Sequence, residues 1–238
     1  MTTSYRVVLF DLFGTVVHFV APPPGAARGT YEWLRAPLAQ HQPSIAFDAF
    51  RDALIEVSAA IVAARLPEHV EVSSPERFRR VLARFDVHGD LAKAEPLAVA
   101  HMAHLADQTT MPASHLQLLN DLTPRYRLGL VSNFDHAPTA QAVLARHGVH
   151  RCFDVTLISH DFGRRKPHPA IFREALHRLG ATPAEALYVG DSAADDVLGA
   201  QAVGLDVAWV NRHDEAPPDP PPTHTLRALP ELRALLEV

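Results

Sequence analysis

From about residue 112 onward, strand-like apolar runs alternate with segments of helical periodicity. The runs are "RLGLVSN", "FDVTLIS", "ALYVGD" and "DVAWVN", and helical segments such as "PHPAIFREALHRLG" separate them. Strands that alternate with helices form a parallel sheet with helices on both faces. One more such run, "YRVVLF", lies far upstream at 5–10. The sequence therefore predicts an α/β fold, a doubly wound parallel sheet whose first strand is separated along the chain from the others.

The segment between that first strand and the rest has helical periodicity throughout. Three helices are predicted there, at 44–66, 74–85 and 90–108. Ser44 is placed to cap the first of them. We expect a core domain made of residues 1–17 and 112–238, and an inserted all-helical domain over 18–111.

Composition excludes several classes of protein. The 238 residues carry a net charge of −5, which argues against nucleic acid as a partner because binding to the phosphate backbone needs a basic face. Cys152 is the one cysteine, so no internal disulfide or cysteine-based metal site is possible. We find neither a signal peptide nor an apolar run long enough to span a membrane. We expect a cytoplasmic monomer or homodimer that has no membrane association.

Polar side chains follow the ends of the predicted strands. They are Asp11 and Thr15, then Ser132 and Asn133, then Lys166, and finally Asp191, Asp195 and Asp196. Ligands of such sheets bind beyond the carboxyl ends of the strands. The set offers a nucleophile, neutral hydrogen-bond donors, a cation and an acidic pair. This combination suits attack on an electrophile that carries negative charge.

Four motifs, "DLFGT", "VSNFD", "KPHP" and "GDSAADD", occur in this order, each at a strand end. Their order and spacing resemble the haloacid dehalogenase superfamily. The resemblance covers the whole predicted core, and the inserted helices stand where the family carries its cap domain. The chain is most similar to the branch of phosphatases and 2-haloacid dehalogenases with a helical cap.

The resemblance implies a role for each matching residue. Asp11 would be the nucleophile and would form a covalent aspartyl intermediate. Thr15 and Ser132 would bind the anionic oxygens of a small-molecule substrate, together with backbone N–H groups near Asn133. Lys166 would neutralise Asp11 and the transferring group. Lys166 is one of only two lysines in a chain with 22 basic residues, which favours a specific role for its compact ammonium.

The resemblance also implies a Mg²⁺ site. Asp11 and Asp191 would bind the ion directly, Phe13 would bind it through its backbone carbonyl, and Asp196 would support the site. Hard carboxylate and carbonyl oxygens suit this ion. Asp195 is interpreted instead as an acid at the start of a helix, where the helix dipole favours negative charge.

Phe13 departs from the phosphatase pattern. Phosphatases of the family usually carry a second Asp there, which protonates the leaving group and later activates water. The absence of this second Asp should lower the rate roughly 10²–10⁴-fold. The family's 2-haloacid dehalogenases carry a bulky aromatic residue at this position and use no metal. The retained acidic pair favours a Mg²⁺-dependent phosphatase with weakened acid–base catalysis.

Two other functions remain open on the sequence. The first is a metal-independent 2-haloacid dehalogenase, in which Arg28 or Arg35 would hold the substrate carboxylate. The second is a protein that binds its ligand without turnover. In a phosphatase, His69 or His136 would be candidates to replace the missing acid.

Overall fold

The structure is a computed structural model and describes residues 5–20 and 30–237. Six parallel strands form the main sheet, in the spatial order β5-β4-β1-β6-β7-β8. They are β1 (Val7–Phe10), β4 (Arg127–Ser132), β5 (Val155–Ile158), β6 (Ala186–Gly190), β7 (Asp206–Val210) and β8 (His224–Leu226). Two short strands, β2 (His18–Phe19) and β3 (Thr109–Thr110), pair separately and antiparallel. The predicted α/β fold with a parallel sheet is confirmed.

Helices precede, follow and connect these strands. They are α1 (Arg35–His41), α2 (Phe47–Ala63), α3 (Ser74–Ala83), α4 (Glu95–Asp107), α5 (Ala113–Leu122), α6 (Ala137–Arg146), α7 (Ser159–Phe162), α8 (Pro169–Arg178), α9 (Gly199–Gln201) and α10 (Leu232–Leu236). A wider π-helical turn, Ala193–Leu198, follows β6. None of the helices in the described residues combines the length and the apolar character that a membrane span requires.

The first strand lies in the middle of the sheet, between β4 and β6. All four of its residues are buried, as expected where helices cover both faces. Val8 and Phe10 belong to a core on one face with side chains of α5, α6 and α10. Val7 and Leu9 belong to the core on the other face with side chains of α8 and α9. This two-sided burial explains why β1 is a continuous apolar run without alternation.

The inserted helices have a core of their own. Leu34, Phe50, Phe78 and Leu97 are fully buried in a hydrophobic cluster formed by α1 to α4 and their connections. The chain leaves the sheet through β2 and returns through β3, so the antiparallel pair closes the base of the insertion. We call residues 30–107 the cap. The predicted boundaries, 17/18 and 111/112, fall next to this pair.

Two local expectations were wrong. Ser44 does not cap the first long helix, because α2 begins at Phe47 and its N-cap is Ala46. The segment predicted as purely helical also ends in β3, a strand too short to show an alternating pattern. By contrast α3 has a side-chain cap: Ser73 accepts a hydrogen bond from the backbone N–H of Glu76 at 3.3 Å.

Candidate active site

The chain segments that follow β1, β4 and β6 meet at one edge of the sheet, together with the segment that leads into α8. They enclose a cavity of about 180 Å³. The residues that line the cavity are Asp11, Phe13, Asn133, Arg165, Lys166, Asp191, Ser192, Asp195 and Asp196. Most of the residues that the sequence singled out therefore lie around one space, as the topology of a parallel sheet predicts.

Lys166 lies at the centre of the site and is almost completely buried. Its Nζ donates hydrogen bonds to Oδ1 of Asp11 at 2.6 Å, Oδ1 of Asp196 at 2.7 Å and the hydroxyl of Tyr188 at 2.9 Å. Burial by itself disfavours the charged ammonium, but the two carboxylates outweigh it and raise the pKa of Lys166 above its usual value. Lys166 is therefore a fixed cation beside Asp11.

The carboxylate of Asp196 is fully occupied by donors. Its Oδ1 accepts from Lys166 and, at 2.9 Å, from the hydroxyl of Tyr188. Its Oδ2 accepts from the backbone N–H groups of Asp191 at 3.1 Å and Ser192 at 2.9 Å. Asp196 thus orients the Lys166 ammonium and the loop that carries Asp191, and both of its oxygens are already engaged.

Asp11 has one free oxygen. Its Oδ2 is buried and has no hydrogen-bond partner among the described residues. Burial raises the pKa of Asp11 to about 7; Lys166 opposes this shift, and the carboxylates of Asp196 and Asp191 add to it. A buried carboxylate with a free oxygen and an elevated pKa is in an environment that a bound cation would stabilise.

The carboxylate of Asp191 lies close to that of Asp11. Carboxylate oxygens of Asp11, Asp191 and Asp196 all lie within 4.8 Å of one another. The hydroxyl of Thr15 donates a hydrogen bond to Oδ1 of Asp191 at 3.3 Å. The indole N–H of Trp209 donates one to the backbone carbonyl of Asp191 at 2.8 Å. Burial raises the pKa of Asp191, and the charge of Asp196 adds to this. These donor atoms fit a hard divalent cation held mainly by Asp11 and Asp191.

A glycine makes room for this arrangement. Gly14 has a φ of +103°, and a Cβ built there would overlap the carboxylate of Asp191. The turn after β1 therefore needs glycine both for its backbone conformation and for the close approach of Asp191.

Ser132 is the last residue of β4 and Asn133 follows it, but the two differ in environment. The Oγ of Ser132 is buried without a hydrogen-bond partner among the described residues. The side chain of Asn133 accepts from the backbone N–H of Lys166 at 2.7 Å and donates to the carbonyl of Lys166 at 3.0 Å. It also donates to Oδ2 of Asp195 at 3.1 Å. Asn133 therefore fixes the segment that carries Lys166. Thr15 and Ser132 do not line the cavity.

Phe13 forms an aromatic wall of the cavity. Its ring stacks on Phe134 with centroids 4.6 Å apart and on Phe19 of β2 with centroids 5.1 Å apart. The stack joins the site to the strand pair at the base of the cap. An acidic side chain at this position would add a further negative charge to a cavity that four carboxylates already line, whereas Phe13 adds no charge and supplies no acid function.

Several candidates lie elsewhere. Arg35 pairs with Glu32 at 2.8 Å within the cap, and Arg28 lies outside the described residues. His136 hydrogen-bonds to Thr139 at 2.8 Å and lines a different groove, between α4 and α6. The backbone carbonyl of His69 accepts from the N–H of Arg165 at 2.9 Å, but His69 does not line the cavity.

The sequence did not reveal three further residues of the site. Tyr188 and Trp209 lie in apolar runs of β6 and β7, so the pattern shows them only as core residues. Arg165 lines the cavity from the position before Lys166. The "GRRKP" stretch gave the one available signal for Arg165, because it places two arginines directly before the lysine.

The fold, the buried Lys166–Asp11 pair and the adjacent carboxylates are those of a hydrolase family. The sequence model of the family of haloacid dehalogenase-like hydrolases matches residues 5–204 of this chain. The chain therefore belongs to the haloacid dehalogenase-like hydrolases and is a hydrolase.

Known relatives include both phosphatases and dehalogenases. The Escherichia coli K12 pyrimidine 5'-nucleotidase YjjG is 33% identical over 157 residues, which cover 64% of this chain and 69% of that protein. The glyceraldehyde 3-phosphate phosphatase of Pyrococcus abyssi is 26% identical over 86% of this chain and 80% of that protein. The crystal structure of a 2-haloacid dehalogenase from Pseudomonas syringae pv. Tomato DC3000 is 27% identical, covers 98% of both chains and has a TM-score of 0.73.

Proposed function

We propose that the protein is a Mg²⁺-dependent phosphatase acting on a small phosphorylated metabolite. The observation that carries the proposal is that the carboxylate of Asp11 lies close to that of Asp191, and that its buried Oδ2 has no hydrogen-bond partner among the described residues while Lys166 occupies its Oδ1. A metal-independent dehalogenase needs the nucleophile and the lysine but has no use for Asp191 as a ligand. Relatives named as a nucleotidase and a phosphatase support the same function.

In the proposed reaction, a carboxylate oxygen of Asp11 attacks the phosphorus of the ester. The bond between phosphorus and the ester oxygen breaks, and the leaving alcohol takes up a proton. Water then attacks the aspartyl phosphate, releases inorganic phosphate and regenerates Asp11. Lys166 holds Asp11 in place and offsets negative charge on the transferring group. Mg²⁺, held by Asp11 and Asp191 with Phe13 contributing its backbone carbonyl, would stabilise charge on the phosphoryl oxygens.

Phe13 limits which phosphates the enzyme can hydrolyse quickly. No acid stands at position 13 to protonate the departing oxygen, so substrates with good leaving groups should react fastest. Asp195 lines the cavity, but its Oδ2 accepts a hydrogen bond from Asn133. We infer that the enzyme hydrolyses activated phosphates, such as acyl or aryl phosphates, faster than simple alkyl phosphates.

The first test is phosphate release from an aryl phosphate. The native protein is assayed with Mg²⁺ and with EDTA, and the Asp11→Asn variant is assayed with Mg²⁺. We expect turnover only when both Mg²⁺ and Asp11 are present. Turnover that persists in Asp11→Asn would come from a contaminant. No turnover of the native protein with Mg²⁺ would reject the proposal for good leaving groups.

The stacked Phe13 favours a second candidate, a 2-haloacid dehalogenase. An aromatic residue suits halide displacement, because halide leaves without a proton. The similarity to the Pseudomonas syringae dehalogenase supports this candidate. Chloride release from 2-chloropropionate that is insensitive to EDTA and lost in Asp11→Asn would establish it. The third candidate, a protein that binds its ligand without turnover, predicts ligand binding without any chemistry that depends on Asp11.

A further inference from the structure

A second set of charged residues lies between the cavity and the cap. It consists of Arg65, Glu71 and Arg77 from the cap and Asp135 and Arg165 from the core, and we call it the arginine cluster. Arg165 joins it to the cavity, since it lines the cavity and its Nη1 lies 3.2 Å from Oε2 of Glu71. The carboxylate of Glu71 is buried, with 1% of the side chain exposed.

The arginine cluster contains three guanidinium groups and two carboxylates. Arg77 forms an ion pair with Asp135, and Arg165 forms one with Glu71. Arg65 is the third cation. Its Nε is buried and has no hydrogen-bond partner among the described residues. The cluster therefore carries a net positive charge.

The two carboxylates of the arginine cluster cannot fully compensate Arg65. Oε2 of Glu71 already accepts from the hydroxyl of Ser159 at 2.5 Å as well as from Arg165. Burial lowers the pKa of Arg65, and the neighbouring charge of Arg165 lowers it further. A partly buried cation without a matching anion is costly, and an added anion would relieve that cost.

At the end of the cavity where Asp11 lies, negative charges outnumber positive charges. Asp11, Asp191, Asp195 and Asp196 stand there against Lys166 and Arg212, whose guanidinium lies 4.0 Å from Oδ2 of Asp191. The site is thus acidic where a metal ion and a phosphoryl group would bind, and basic on the side towards the cap. This asymmetry fits a substrate with negative charge at both ends.

We propose that Arg165 binds a second anionic group of the substrate, a carboxylate or a phosphate located beyond the ester that Asp11 attacks, and that the positive charge of Arg65, which does not line the cavity, strengthens this binding. The proposal rests on the proposed phosphatase function and narrows its substrate class. Guanidinium groups are suited to this role because their fork of N–H donors matches the oxygens of carboxylates and phosphates. Glu71 would keep Arg165 facing the cavity until the substrate arrives.

The kinetic test compares pairs of esters that differ in the second anion. One pair is 3-phosphoglycerate and glycerol 3-phosphate, and the other is fructose 1,6-bisphosphate and fructose 6-phosphate. We expect the native enzyme to prefer the ester with the second anion by at least about tenfold in kcat/KM in one pair, the magnitude of a charged hydrogen bond. The pair that shows the preference identifies the second group as carboxylate or phosphate.

Substitutions of single arginines test which residue causes the preference for the ester with the second anion. Arg165→Met should reduce the preference to about twofold or less, Arg65→Met should reduce it by a smaller factor, and Arg165→Lys should retain part of it. The matched control is Arg164→Met, because Arg164 precedes Arg165, pairs with Glu68 at 2.8 Å and does not line the cavity. The control should keep the native preference. Equal loss of kcat/KM for both members of a pair in Arg165→Met, or no preference in the native enzyme, would overturn the proposal.

A binding measurement separates this inference from the proposed function. Calorimetry of the Asp11→Asn variant with the same esters reports affinity without turnover. Tighter binding of the ester with the second anion, lost when Arg165→Met is added, would support the inference even if the native protein released no phosphate. Equal affinity for both members of each pair would reject the inference even if the phosphatase assay succeeded.

Discussion

The hydroxyl of Tyr188 donates a hydrogen bond to Oδ1 of Asp196 at 2.9 Å. It also accepts one from Lys166. Tyr188 is completely buried in β6 and directly follows Leu187 of the opposite core face. Tyr188, an aromatic residue of the core, thus helps to hold the Lys166 ammonium of the candidate active site. The position of this ammonium therefore depends on how the sheet packs.

Replacing Tyr188 by Phe tests this link. The ring is retained, and the loss of one buried hydrogen bond should lower the free energy of unfolding by about 1 kcal/mol. We expect kcat to fall roughly tenfold, as when the partner of a site residue is removed. Denaturant unfolding and steady-state kinetics measure the two effects. An unchanged kcat would show that Lys166 is held by its carboxylates alone.

Asp196 should be essential for stability. All four of its hydrogen-bond partners are donors, so the amide group of Asp196→Asn would face a donor in either orientation. We expect the free energy of unfolding to fall by roughly 3 kcal/mol. Asp195→Asn is the matched control, because its side-chain oxygen can still accept from Asn133, and a change below about 1 kcal/mol is expected. Equal denaturation midpoints for the two variants would contradict the conclusion that the hydrogen bonds of Asp196 stabilise the fold.

Gly14→Ala should disturb the proposed Mg²⁺ site. Its Cβ would displace the carboxylate of Asp191, and we expect Mg²⁺ affinity measured by calorimetry to fall at least about tenfold. Gly148→Ala is the matched control, since Gly148 also has a positive φ, +72°, but no atom lies within 4 Å of the added Cβ. Both substitutions place a Cβ on a residue with a positive φ, and unchanged Mg²⁺ affinity in Gly14→Ala would argue against Asp191 as a ligand.

Phe13→Asp should restore an acid. If the enzyme is a phosphatase, kcat/KM for an alkyl phosphate should rise by about 10²-fold, and that for an aryl phosphate should rise less. Phe13→Asn removes the same aromatic stack without supplying a proton, so it controls for the loss of packing. Similar kinetics of the Asp and Asn variants on the alkyl phosphate would mean that the site cannot use an acid at this position.

His101 should make the cap sensitive to acid. It is buried in α4, its Nδ1 accepts from the indole N–H of Trp33 at 3.2 Å, and burial lowers its pKa to about 4. The unfolded chain binds a proton near pH 6.5, whereas the folded chain does not until about pH 4. The contribution of His101 to the free energy of unfolding should therefore be greatest above pH 6.5 and fall by up to roughly 3 kcal/mol towards pH 4.

The variant His101→Gln isolates this contribution. Its amide oxygen can accept from Trp33, but the side chain does not titrate. Denaturant unfolding of both proteins at pH 7.5, 5.5 and 4.5 is the measurement. We expect the native protein to lose more stability than the variant as the pH falls. Parallel curves would show that His101 is not the group responsible.

Most of the fold and of the site was predictable from the sequence. The parallel sheet followed from alternating periodicities, and the positions of Asp11, Asn133, Lys166 and Asp191 around one cavity followed from strand ends. Such features depend on local pattern and on the geometry common to all parallel sheets. The ends of α2 and the pairing of β2 with β3 did not follow, because packing sets a helix start and a two-residue strand has no pattern.

The amino-acid sequence shows which residue types stand at the strand ends and that position 13 carries an aromatic residue. How these residues share contacts depends on the folded chain: both oxygens of Asp196 accept hydrogen bonds, Oδ2 of Asp11 has no partner among the described residues, and Arg165 pairs with Glu71 of the cap. These contacts could not be predicted, because hydrogen bonds and charge balance depend on distances between residues far apart in the chain. Asp11 and Lys166, in contact at 2.6 Å, are 155 positions apart.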